Sequence, residues 1–281
     1  GARMCLSALE VTKAFRPSLD DVKHFLETDP SPKAIFLNSP HNPTGGVAHS
    51  EDLAGIAGLI RGRDVAVFSD EPYDCMVWNG RHRTLLSEPG MLDQTVAAYT
   101  FSKSFSMSGW RLGFAVASFQ TVRLLDVLSI TSFSCVPPFS QLAGVAALQS
   151  DLGYRDKRMA EFRQKVELLV SGLNEIPGVS CLMPGGTFYV FPSVQTICET
   201  YHITSHGLAL YLLEGADDDL GVACLGGEAF GQAGKGFLRL SCAEPDERLR
   251  QSIAFIADAF GRRNRIEAYL SAYPEYRLSE P

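Results

Sequence analysis

The chain has 281 residues, 46% of them apolar and 20% charged, which is the composition of a globular protein long enough for two packed domains. Its 25 basic and 32 acidic residues leave a formal net charge of −7, with no block of like charge, so a nucleic-acid partner is disfavoured. No apolar run approaches membrane-spanning length, and no signal-like segment opens the sequence.

In chain order, Arg3 to Leu9 reads as a strand and its exit, so the sequence is expected to begin inside a domain. Ser18 with Asp21 opens a helix running to about Glu27, in the manner of a capping box. Short apolar strands follow at Lys33–Leu37, Val65–Phe68, Thr95–Tyr99 and Leu112–Ala117. Helical patterns occupy Ser50–Arg61, Phe105–Gly109 and Arg123–Ser129. Strands alternating with helices predict a largely parallel, two-sided sheet, whose functional groups gather beyond the carboxyl ends of the strands. Helices at Gln141–Gln149 and Tyr154–Asn174 interrupt the alternation. Beyond them lie strands at Val179–Met183, Phe188–Phe191, Val222–Leu225 and Phe237–Ser241, with helices at Ser205–Glu214 and Asp246–Phe260. This is the pattern of a smaller α+β domain, with a boundary near residue 150. The tyrosine-rich tail after Arg265 carries no signal, and the glycines between Gly226 and Gly236 read as a mobile loop.

Seven cysteines lie singly, without C-x-x-C spacing, which predicts free thiols and a cytoplasmic setting. His41, His49 and His82 share no metal-ligand spacing, so no metal is expected and each histidine is given an ordinary polar role. Trp110 reads as core or lining.

Three segments carry chemistry, each at a strand end. Asn38-Ser39-Pro40-His41-Asn42-Pro43-Thr44-Gly45-Gly46 is a turn fixed by prolines and glycines. Ser69-Asp70-Glu71-Pro72-Tyr73 closes the second strand. Thr100-Phe101-Ser102-Lys103, followed by Gly109-Trp110-Arg111, places a lysine after a buried strand, where lysines are seldom found unpaired. In order and spacing these segments resemble class I/II aminotransferases, the fold-type-I enzymes that use pyridoxal 5′-phosphate (PLP), from Gly1 to about Phe260.

The resemblance implies an α/β fold: a three-layer α/β/α domain with a mostly parallel sheet over residues 1–150, incomplete at its N-terminal side, and a small C-terminal domain over 151–281. It implies transfer of an amino group between an amino acid and a 2-oxo acid through a Schiff base on Lys103, which then moves the substrate's α-proton. Asp70 would face the pyridine nitrogen and keep it protonated. Asn42 and Tyr73 would donate to the ring's phenolate oxygen, with Asn42 also reaching substrate. Arg111, Thr100 and Ser102 would hold the cofactor phosphate. Phe237-Leu238-Arg239-Leu240-Ser241 resembles the strand whose arginine, here Arg239, grips the substrate α-carboxylate. A homodimer is expected, with Thr131–Pro138 facing the partner. Family members carry on the order of a hundred residues ahead of the position matching Gly1, so part of the sheet is expected to lie open. Two alternatives remain: a carbon–sulfur lyase on the same site, or an inactive fragment or dimerisation partner of the same fold.

Overall fold

The computed structural model describes Gly1 and residues 3–278. Ser18 Oγ accepts the Asp21 amide proton at 3.2 Å and opens α1 (Leu19–Thr28). β1 (Ala34–Asn38) leads through the Asn42 turn to α2 (Ser50–Ile60), whose start is held by the His49 amide on Asp52 Oδ2 at 2.7 Å. Arg16 grips the same Asp52 with two nitrogens, at 2.9 and 2.7 Å. β2 (Ala66–Asp70), β3 (Thr95–Thr100) and β4 (Gly113–Val116) complete a four-stranded sheet in the order β1-β2-β3-β4. The first three strands are parallel and β4 is antiparallel, so the sheet is mixed but mostly parallel, as expected. Close approach at its edge requires glycine, because a Cβ at Gly113 would sit 2.5 Å from the Tyr99 carbonyl oxygen.

Alternation makes the two faces of this sheet unlike. Leu37, Val67 and Ala97 are buried, and Leu37 and Val67 pack with Leu53, Ile56 and Ile60 of α2 and with Leu26 of α1. On the other face Phe36 is 73% exposed and Phe68 47% exposed. β1 and β2 pair Phe36 with Phe68 and Asn38 with Asp70, so all four side chains belong to that open face.

α3 (Phe119–Ser132), α4 (Pro138–Gln149) and α5 (Gly153–Asn174) follow. Many large apolar side chains of α3 and α4 are exposed, Phe119, Leu124, Phe139 and Leu142 among them, and Phe133 in the intervening loop is exposed too. The described chain forms two compact units: residues 1–42, 46–159 and 185–187, and residues 43–45, 160–184 and 188–281.

In the second unit β5 (Tyr189–Val190), β6 (Leu225–Gly226) and β7 (Leu238–Ser241) form an antiparallel sheet in the order β5-β7-β6. Its helices are α6 (Gln195–Tyr201), α7 (Ser205–Leu210), α8 (Asp246–Gly261) and α9 (Arg263–Ala272).

Several expectations need correction. Arg3 to Leu9 forms no strand, and Met4 and Leu6 stay exposed. Phe105–Gly109 is not a helix: Ser106 takes a positive φ of 55°, and only a 3₁₀ turn at Ser108–Trp110 forms. Of the two places expected for Trp110, core and lining, the first is excluded, because the residue is nearly half exposed. Val179–Met183 makes a single bridge, Ser180 to Ser193, instead of a strand. α7 ends at Leu210 and gives way to a π-helical turn over Tyr211–Gly215. The glycine-rich stretch is built into two 3₁₀ turns, Gly227–Phe230 and Gln232–Gly234, where a Cβ on Gly227 would meet the Gly234 carbonyl oxygen at 1.9 Å. The tail packs tightly: Tyr269 stacks on Tyr276, meets Tyr211 edge-on, and donates from its hydroxyl to Glu214 at 3.0 Å. α6 and α9, neither expected from the sequence, complete this unit.

Candidate active site

The first unit brings Asn42, Asp70, Tyr73, Thr100, Ser102, Lys103 and Arg111 onto the segments that leave the carboxyl ends of β1, β2 and β3. Asn38, the last residue of β1, ties the first two segments together. Its Nδ2 donates to the Asp70 carbonyl at 2.9 Å and to the Asp70 carboxylate at 3.1 Å, while its Oδ1 accepts the Asn42 amide proton at 2.8 Å. Burial, with the neighbouring Glu71 charge second, raises the Asp70 carboxyl above its ordinary value of 3.8. A carboxylate in this position gains from a cationic partner.

Lys103 follows β3, with Nζ 6.0 Å from the centre of the Tyr73 ring. Thr100 Oγ1 accepts the Ser102 amide proton at 3.0 Å and lies 2.8 Å from Ser102 Oγ, so the two hydroxyls form one cluster. Arg111 takes a positive φ of 51°, and its Nη1 donates to the Ser108 carbonyl at 2.8 Å. The buried side chains of Phe101, Met107 and Leu112 pack together beneath this turn.

Arg239 lies in the second unit, on β7. Its guanidinium sits 4.4 Å above the Tyr189 ring and 5.0 Å from the Phe230 ring, so two aromatic faces hold one planar cation.

The structure adds residues that the sequence reading did not single out. Glu71 is 1% exposed, yet its carboxylate accepts from Ser69 at 2.7 Å, Thr84 at 2.8 Å and Tyr99 at 2.7 Å, and meets His82 Nε2 at 2.7 Å. Burial alone would raise its carboxyl, but these four partners together outweigh it and the net shift is downward. Glu71 thus staples the end of β2 to β3 and to the loop through His82. Asn38 was detectable as an amide at a strand end, four residues before Asn42. Glu71 gave no such signal, because a glutamate in sequence looks like surface. His41 is half-buried, and burial lowers its imidazole to about 4. Among the described residues no cluster of His, Cys, Asp or Glu could hold a metal, no disulfide forms, and no helix is long and apolar enough to cross a membrane.

The family model for aminotransferase class I and II matches residues 3–256. The chain is 32% identical over 242 residues to an aspartate aminotransferase of Pyrococcus abyssi, a match covering 85% of this chain and 59% of the relative. It is 31% identical to aromatic-amino-acid aminotransferase 2 of Thermococcus litoralis, with the same coverage of each. Among solved structures, an aromatic aminotransferase from Pyrococcus horikoshii superimposes with a TM-score of 0.83 at 30% identity, covering 91% of this chain and 66% of that one. The chain thus spans about three-fifths of the length of the curated relatives it matches.

Proposed function

Since the chain belongs to the class I and II aminotransferase family, whose members are PLP-dependent enzymes, we propose that it serves PLP-dependent transfer of an amino group between an amino acid and a 2-oxo acid. The observation that carries this reading is that one unit holds a half-buried Asp70 at the end of β2 and Lys103 just after β3, its Nζ 6.0 Å from the centre of the Tyr73 ring. These residues fit the cofactor. When bound, PLP supplies an electron sink that makes the substrate's α-proton acidic. Asp70 holds the ring nitrogen in its protonated form, and Asn42 and Tyr73 donate to the ring's phenolate oxygen. Thr100, Ser102 and Arg111 hold the phosphate, the arginine as a planar two-pronged donor. Lys103 Nζ would tether the cofactor and, as a free amine, would move the proton at the substrate's α-carbon. Arg239 receives the substrate α-carboxylate, its guanidinium held flat by Tyr189 and Phe230.

The exposed apolar residues of α3 and α4, with Phe133 in the loop between them, support a homodimer that covers them. The seven free thiols support a cytoplasmic location. The same exposed helices favour a second reading, in which the chain is chiefly a dimerisation partner of this fold.

Adding PLP to the purified chain tests the choice. A cofactor absorbance that survives dialysis, disappears in Lys103→Ala and shifts with an amino acid supports the enzyme. Release of a 2-oxo acid with aspartate or an aromatic amino acid extends that support. Pyruvate released from a thioether substrate would assign a carbon–sulfur lyase instead, and no retained absorbance would leave the dimerisation partner.

A further inference from the structure

We infer that Asn38 is a positioning residue that sets two cofactor-facing groups with one side chain, its Nδ2 fixing the Asp70 carboxylate and its Oδ1 fixing the Asn42 turn. The inference rests on the PLP reading of the same site.

The geometry leaves one orientation for the amide. Asn42 offers a backbone N–H, which only donates, so the atom facing it at 2.8 Å is the Asn38 oxygen. Asp70 offers a carbonyl and a carboxylate, which only accept, so the atom facing them at 2.9 and 3.1 Å is the nitrogen. The strand register makes the arrangement possible, because Asn38 and Asp70 are direct partners in the β1–β2 ladder and project from the same face. Asn38 stands four residues before Asn42, and the turn folds back so that the Asn42 amide meets it.

The consequence for Asp70 is electrostatic. Glu71 lies next to it in sequence, and burial works against its ionised form. A side-chain N–H donor on Oδ2 favours the ionised form, the one needed to face a protonated ring nitrogen. Asn38→Leu removes both the donor and the acceptor. Asn38→Asp keeps an acceptor for the Asn42 amide but brings a second carboxyl against Asp70. The pair of variants therefore separates the two arms of the same side chain.

The experiment titrates the full chain, wild type and both variants, with PLP and with the deaza analogue whose ring nitrogen is replaced by C–H. Binding is followed by absorbance and by quenching of tryptophan fluorescence. Wild type should prefer PLP over the deaza analogue. Both variants should lose about tenfold of that preference, the equivalent of one hydrogen bond to a charged group. Affinity for the deaza analogue should hold in Asn38→Asp and fall in Asn38→Leu, because only the leucine abandons the Asn42 turn. An unchanged preference in both variants would overturn the inference while leaving the cofactor reading intact. Equal losses for PLP and the deaza analogue would also overturn it, since that is mere loosening of the fold. Failure of the wild-type chain to bind either compound would overturn the cofactor reading itself, and the inference with it.

Discussion

Asp70 and Glu71 are adjacent carboxylates at the end of one strand, on opposite faces of one sheet, and they have opposite electrostatic characters. Glu71 belongs with the covered face, is fully buried, and has four polar partners that hold its carboxyl below its ordinary value. Asp70 belongs with the open face, where the side-chain amide of Asn38 is its hydrogen-bond donor and burial raises its carboxyl. Phe36 and Leu37 repeat the contrast in apolar form, one largely exposed and the other buried against α1 and α2. A saturated carboxylate serves structure, whereas a half-buried carboxylate raised above its ordinary value is the natural candidate for a functional role.

The sharpest way to break this comparison is to remove Glu71. Glu71→Leu should cost about 4 kcal/mol of folding stability, because His82, Ser69, Thr84 and Tyr99 would lose a shared buried acceptor. Urea denaturation measures this loss, and a value near zero would reduce the network to decoration. Leu37→Ala should follow at about 3 kcal/mol, the usual cost of a cavity under a sheet.

Acid should separate the groups next. Glu71 has a folded pKa below its unfolded value of 4.5, so the stability it supplies is complete above 4.5 and is lost as pH falls below it. His41 is held neutral, with a folded value of about 4 against 6.5 unfolded, so stability should already decline from pH 6.5 towards 4. His41→Gln should flatten that upper limb, and Glu71→Gln the lower one, in thermal midpoints recorded against pH. Asp70 carries the opposite sign: its raised value means the ionised form is disfavoured on folding. Asp70→Asn should therefore slightly raise the thermal midpoint of the cofactor-free chain at neutral pH while weakening PLP binding.

Much of the first unit was legible because its strands are short apolar runs with polar groups at their ends, and alternation alone sorts β1 and β2 into faces. Asn42, Asp70, Lys103 and Arg111 could be singled out as candidates because the motif spacing places each in or beside a segment that adjoins a strand. Glu71 was not visible, because its burial depends on four partners spread from Ser69 to Tyr99 that meet only in three dimensions. The second unit was harder for the same reason. Its strands are two to four residues long, too short for a period to register, and its tyrosine tail is ordered by ring packing against Tyr211 that no local pattern announces.

The smallest expected effect is the most discriminating about the open face. Phe36→Thr replaces one strand-favouring side chain by another, so it isolates the value of burying the ring from the preference of the backbone. With the residue 73% exposed, the change should stay within about 0.5 kcal/mol, well below the loss at its neighbour Leu37. Denaturation at two protein concentrations makes the result decisive. A loss approaching that of Leu37→Ala would mean the ring is buried in solution. If that loss shrinks on dilution, what buries it is a second copy of the chain, and the contrast between the two faces belongs to the isolated chain alone.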